Sequence, residues 1–198
     1  MNLVDRAKNI LLSPNSEWEV IRSESTTTAE LFTKYAVILA AIPAIAGFIG
    51  YYLIGISLGA FGSIKLGIGT AFSWAILTYI LSLVSVYVLG WIIDALAPSF
   101  GSSKDLVASM KVAVYSYTAS WVAGIFQLIP SLSIIAALAG IYSLVLMYLG
   151  LKKVKMVPDD KMIGYFVVII IVALVLYFVI GAIISSIVFR DYLFNGTI

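Results

Sequence analysis

Cysteine and histidine are both missing from the 198 residues, and only 11% are Asp, Glu, Lys or Arg. Without cysteine there is no disulfide and no thiolate ligand; without histidine there is no imidazole to act as base or metal ligand. A structural zinc site and a Ser/His/Asp triad are thereby excluded. The glycines of LGAFGSIKLGIG lack the lysine-serine pair and strand context of a phosphate loop, and no dinucleotide or protease motif is present. No cofactor is expected, and the formal charge of +2 gives no reason to expect a nucleic-acid partner. Only Ser, Lys and Asp remain for any intramembrane chemistry.

What the chain has in excess is apolar surface. Hydrophobic residues make up 62% and the mean hydropathy is +1.09, against roughly 45–50% apolar in a soluble domain. This composition belongs to an integral membrane protein. The apolar runs are of helical length, whereas a transmembrane barrel would alternate in segments of about ten residues. The fold class is all-α: a polytopic bundle of five transmembrane helices preceded by short N-terminal amphipathic cytoplasmic helices. Residues 1–34 form the leader and residues 35–198 the five-span domain, with spans expected at about 35–57, 66–93, 112–129, 132–151 and 162–189. Pro43 should kink the first span by removing one backbone donor, the Gly-rich link LGAFGSIKLGIG reads as a flexible turn, and Pro130-Ser131 leaves room only for a tight hairpin between spans three and four.

Basic residues set the orientation. Arg6, Lys8, Arg22, Lys34, Lys104, Lys111, Lys152, Lys153, Lys155 and Lys161 fall on one side of a five-span chain, and only Lys65 and Arg190 on the other. The positive-inside rule then puts the N-terminus in the cytoplasm and the C-terminus outside. Residues 1–34 lack the basic-then-apolar pattern of an export signal and look retained. In the leader, Leu3, Val4, Ala7, Ile10 and Leu11 recur at helical spacing, and a second segment after Pro14 carries Trp18 and Ile21 among Glu17, Glu19, Arg22 and Glu24. Such segments either lie on the cytoplasmic leaflet or pack against the loops.

Few polar groups are candidates for a site. Asp94 closes the second span and Lys111 opens the third on the same side, so a helical hairpin would bring them near each other, either as an ion pair gating a path or as interfacial charge with Lys111 snorkelling. No carboxylate falls at the predicted midplane of a span, which argues against a proton-coupled pump. YSYTASWVAG places Tyr115, Ser116, Tyr117, Thr118, Ser120 and Trp121 inside an otherwise apolar window, with Gln127 deeper. Small and hydroxyl residues let helices approach and hydrogen-bond across, so Ser116, Ser120 and Gln127 read as packing contacts, with Gly140 and Ser143 on the facing surface and Ser73, Ser82, Ser85 and Gly90 serving in the same way. Tyr115, Tyr117 and Trp121 alternatively line a pocket. The run KKVKMVPDDK supplies Lys152, Lys153, Lys155 and Lys161 as a basic loop for anionic lipid.

The run YSYTASWVAGIFQLIPSL followed by LAGIYSLVLMYLGLKKVKMVPDDKMIGY resembles the third to fifth spans of the Yip family, membrane proteins named for interaction with Ypt/Rab small GTPases; the leader SPNSEWEVIRSE and LAAIPAIAGFIG are similar to its compact prokaryotic members. The resemblance implies five spans, a cytoplasmic N-terminus and an external or lumenal C-terminus. It also implies links to small GTPases, vesicle formation and membrane shaping, often as oligomers. The Asp-Leu-Tyr-Gly-Pro type motif and longer leader of eukaryotic members are missing, so a prokaryotic cytoplasmic membrane is the expected location. The expected role is a non-enzymatic scaffold or adaptor in membrane organisation or trafficking-like processes. Its expected partners are anionic membrane lipid, further copies of itself or other membrane proteins. The alternative is a small transporter or channel with a path between spans two, three and four, lined by Asp94, Lys111, Tyr115, Tyr117 and Gln127.

Overall fold

The computed structural model describes residues 2–57 and 63–188. The leader folds into two ten-residue helices, α1 (Leu3–Leu12) and α2 (Pro14–Ser23). Asn2 caps α1 by accepting from the Asp5 amide at 2.8 Å. Pro14 opens α2, where its missing N–H costs nothing and its fixed φ suits a first turn. α3 (Thr28–Leu31) starts on a capping box between Thr27 and Glu30. It continues through a wide turn at Phe32–Ala36 into α4 (Val37–Ile49) and a second wide turn at Gly50–Ile54. The result is one 27-residue rod, Thr28–Ile54, starting seven residues before the apolar run. Pro43 lies inside α4 and is buried.

A two-residue antiparallel pairing, β1 (Ile56–Ser57) with β2 (Ser63–Ile64), closes the turn into α5 (Ile68–Leu96). Residues 58–62 of the predicted Gly-rich turn lie outside the described residues. α5 runs 29 residues and ends in a tight turn at Ala97–Phe100, with Gly101 at φ 72°. α6 (Leu106–Ser116) and α7 (Thr118–Ala123) follow, then tight turns at Gly124–Leu128 and Pro130–Leu132, then α8 (Ser133–Lys153) and α9 (Asp159–Val188).

The protein is thus all-α and polytopic. Among the described residues four helical rods are long and apolar enough to cross a membrane: Thr28–Ile54, Ile68–Phe100, Pro130–Lys153 and Asp159–Val188. This corrects the expectation of five unbroken spans, because the third expected span is a broken path. Thr118 Oγ1 donates to the Tyr115 carbonyl at 2.7 Å and the Tyr117 amide reaches only back to Val114. Hydroxyls that bond their own backbone compete with the helical ladder. Beyond Gly124 the chain tightens because it is pressed on α4: a Cβ at Gly124 would lie 2.5 Å from Pro43, and one at Gly50 would lie 2.1 Å from the Gln127 carbonyl oxygen.

The core is concentrated at the end of the bundle that carries Asp94, Asp105 and Lys152. Ile10, Trp18 and Ile21 of the leader join Leu89, Ile93, Met110, Leu146, Leu151, Met162 and Tyr165 there. α9 is nearly free of cover along its most apolar window, 6% buried, and shows Leu174, Val175, Tyr177 and Phe178 outward. In a bilayer that face meets acyl chains. Arg190 and residues 189–198 lie outside the described residues.

Candidate functional site at the charged end of the bundle

The leader is folded back on the bundle. Trp18 is fully buried, its ring so close to α8 that a Cβ at Gly150 would sit 2.9 Å from it, and it meets the Tyr115 ring edge-on at 6.3 Å. Arg6 is buried between Glu17 and Glu24 and lies 5.4 Å over the Tyr115 ring. Three attractions thus offset the desolvation of one guanidinium: two carboxylates and a ring face.

Lys111 does not pair with Asp94. Its Nζ donates to the carbonyls of Ile21 at 2.7 Å and Glu24 at 2.6 Å. Those are the carbonyls that α2 leaves unbonded at its C-terminus, where the helix dipole also favours a cation. Asp94 instead organises the loop before α6. It accepts from the Asp105 amide at 2.7 Å and from Ser109 Oγ at 3.1 Å, while Asp105 caps α6 through the Ala108 amide at 2.9 Å. Lys155 completes this second cluster, with Nζ 2.7 Å from the Ser103 carbonyl oxygen and 3.6 Å from Asp94 Oδ1.

This corrects the reading of the basic loop. Lys155 is not presented to lipid: its side chain is 1% exposed. Burial pulls its pKa below the ordinary lysine value, and Asp94 and Asp105 oppose that shift. Lys152 pairs with Asp159 at 2.8 Å and Lys153 with Glu19 at 2.8 Å, so both are partly neutralised. Lys161 is exposed, and among the described residues at this end Lys8, Lys104 and Lys161 form no ion pair.

The hydroxyl stretch is divided among several neighbours. Ser120 Oγ and Ser143 Oγ of α8 lie 2.8 Å apart, and Trp121 Nε1 donates to Ser82 Oγ of α5 at 3.2 Å. Tyr117 packs against the Trp121 ring at 5.8 Å, and Tyr115 against Tyr35 at 4.8 Å. Ser116 Oγ, Thr78 Oγ1 and Gln127 Oε1 are buried without a partner among the described residues. No neighbouring atom approaches the Cβ position of Gly140, so the α8 contact is made by Ser143. An open apolar groove of about 300 Å³ separates α4 from α5, lined by residues such as Ala41, Phe48, Phe72 and Tyr79. Among the described residues no group of three or more Asp and Glu is placed to hold a metal ion.

Sequence reading left open whether the leader lies on the leaflet or packs on the loops, and missed that it is seated on α8 through Trp18 and Gly150. Its one available signal was Trp18 in a segment otherwise rich in Glu and Ser, and nothing in a linear pattern pairs a tryptophan with a glycine 132 residues later.

Residues 8–183 match the Yip1 domain, which takes in most of the leader as well as the spans. The chain belongs to the Yip1 family. Within it, the inner membrane protein YohC of Escherichia coli K12 is 28% identical over 155 residues, covering 77% of this chain and 80% of that protein. The protein of the same name from the Escherichia coli O6:H1 strain CFT073 is similar to the same extent. No solved structure matches. A Yip1-family chain with this helix set is an integral membrane protein.

Proposed function

We propose that this Yip1-family protein is a non-enzymatic scaffold of the cytoplasmic membrane whose charged end faces the cytoplasm and holds anionic lipid or a partner against the membrane. The observation that carries the reading is how charge is used there. Arg6, Lys111 and Lys155 are turned inward to fasten the leader and loops, while Lys8, Lys104 and Lys161 stay unpaired on the outside. An outward lysine near an anionic leaflet contributes about 1 kcal/mol. The orientation follows from the basic residues gathered at this end, with the broken α6–α7 path as the third of five crossings and the C-terminus outside. That the similar Escherichia coli protein YohC is an inner membrane protein supports this location. A small-GTPase partner is carried by the family name alone.

The test is native mass spectrometry of protein released from mixed zwitterionic and anionic nanodiscs. Retained anionic lipid should fall several-fold in the triple variant Lys8→Gln, Lys104→Gln, Lys161→Gln, and much less in Lys152→Gln with Lys153→Gln. Equal retention by all three proteins would sink the reading.

A second reading is a small transporter. It is favoured by Thr78, Ser82 and Ser85 of α5, which recur at helical spacing around the Ser82 hydroxyl that Trp121 bonds, together with the partnerless Thr78, Ser116 and Gln127 oxygens. Polar groups left unbonded in a bundle interior can accept water or solute. It predicts solute flux in proteoliposomes that Ser82→Ala alters; no flux across a broad solute panel counts against it.

A further inference from the structure

We propose that the turn joining α1 to α2 is a re-entrant element, seated in the acyl region of the leaflet at the charged end rather than on its surface. The inference goes beyond the scaffold reading and does not depend on lysine contacts to anionic lipid.

Depth is the first argument. Tyr142 donates its hydroxyl proton to the Leu11 carbonyl at 2.7 Å. Tyr142 stands near the middle of α8, eleven residues before its charged end at Lys153, or about 16 Å along the helix axis. α1 also packs against α7, which begins only after the whole of α6. The Tyr142 bond thus sets the end of α1 level with the middle of α8, and α1's packing on α7 agrees with that depth in a hydrocarbon core about 30 Å thick.

The turn's chemistry is the second argument. Leu12 is 72% exposed at its tip, Leu11 is half-buried beside it, and Pro14 carries no N–H. Inside lipid, backbone groups need internal partners, and the turn supplies them for Ser13 and for Leu11, while the exposed side chains of Ser13, Asn15 and Ser16 stand beside the first amides of α2. The Ser13 amide donates to Asn9, the Ser13 carbonyl accepts from the Glu17 amide and from Ser16 Oγ, and the Leu11 carbonyl, which water would otherwise serve, is bonded by Tyr142. Charge is kept away from the tip: Arg6 faces Glu17 and Glu24 inside the hairpin, and Arg22 sits at the far end of α2. Lys8, one turn above Leu12, has a stem long enough to carry its ammonium toward headgroups.

The chain has no cysteine, so Leu12→Cys and Arg22→Cys each give a unique nitroxide site in the full-length protein. In liposomes of phosphatidylethanolamine and phosphatidylglycerol, power saturation should show the Leu12 site relaxed mainly by oxygen and the Arg22 site mainly by a water-soluble nickel chelate. Nickel-dominated relaxation at both sites would overturn the proposal. A readout free of the label is modification by a membrane-impermeant maleimide. Leu12→Cys should react at least ten-fold more slowly than Lys104→Cys in liposomes and catch up in denaturant, whereas equal rates in liposomes would again refute it.

Discussion

Trp18 anchors the leader by packing alone: it is the largest fully buried side chain among the described residues and fills the notch left by Gly150. Truncation of a buried aromatic costs about 3–5 kcal/mol, and most of that loss should fall on leader docking rather than on the spans. Trp18→Ala is therefore expected to speed proteolysis of residues 2–27 while leaving the melting of the detergent-solubilised bundle nearly unchanged. Gly150→Leu should loosen the leader from the other side but also lower the melting of the bundle, since a Cβ there crowds both the Trp18 ring and Val112 of α6. Lys111 is a second fastening point: Lys111→Met leaves the Ile21 and Glu24 carbonyls without their donor, at about 1–3 kcal/mol for buried groups. The third, Glu19 with Lys153, is pH-sensitive. The hydrogen bond from Lys153 holds the Glu19 pKa below its ordinary 4.5. A depressed carboxylate stabilises the docked state above its unfolded pKa and loses that contribution as pH falls through the folded one. A nitroxide at Ser16→Cys should accordingly gain mobility only below about pH 4.5, and Glu19→Gln should remove that step.

Among the elements, the broken third path depends on close approach to α4. Gly47, Gly50 and Gly124 line that seam, where an added Cβ would meet Gln127 Oε1 at 2.9 Å, the Gln127 carbonyl oxygen at 2.1 Å or Pro43 at 2.5 Å. Overpacking a tight contact costs about 1–3 kcal/mol. Gly50→Val should lower the thermal midpoint of the solubilised protein, and Gly140→Ala, with open space around it, should not. The helical, membrane-spanning character of the chain was legible in the apolar runs, and the small and hydroxyl residues marked where helices approach, whereas the bond from Trp121 to Ser82 was read only from the structure. The break at Tyr117 was not, because hydropathy averages over a window and carries no record of a threonine that bonds its own backbone. Lys155 failed for a related reason: a KKVK run looks uniformly solvated in one dimension, yet a turn sends one of its lysines into the Asp94 cluster. Met156, exposed at φ 49°, marks where that turn is made.

For the whole molecule, the charge asymmetry read from the sequence and the leader's docking combine into one account. Ten of the twelve basic residues gather at the end where the leader, the α5–α6 loop and the α8–α9 loop meet. There some are spent on fastening the fold and the others remain outside. The Yip1 match beginning at residue 8 agrees that the leader belongs to the family unit. The account stands or falls on that docked hairpin, and hydrogen–deuterium exchange of the full-length protein in lipid nanodiscs tests it most directly. Amides of α1 and α2 should exchange as slowly as those of α6, on a scale of minutes to hours, and Trp18→Ala should release them together. Exchange of α1 and α2 at the rate of a free peptide would contradict the account.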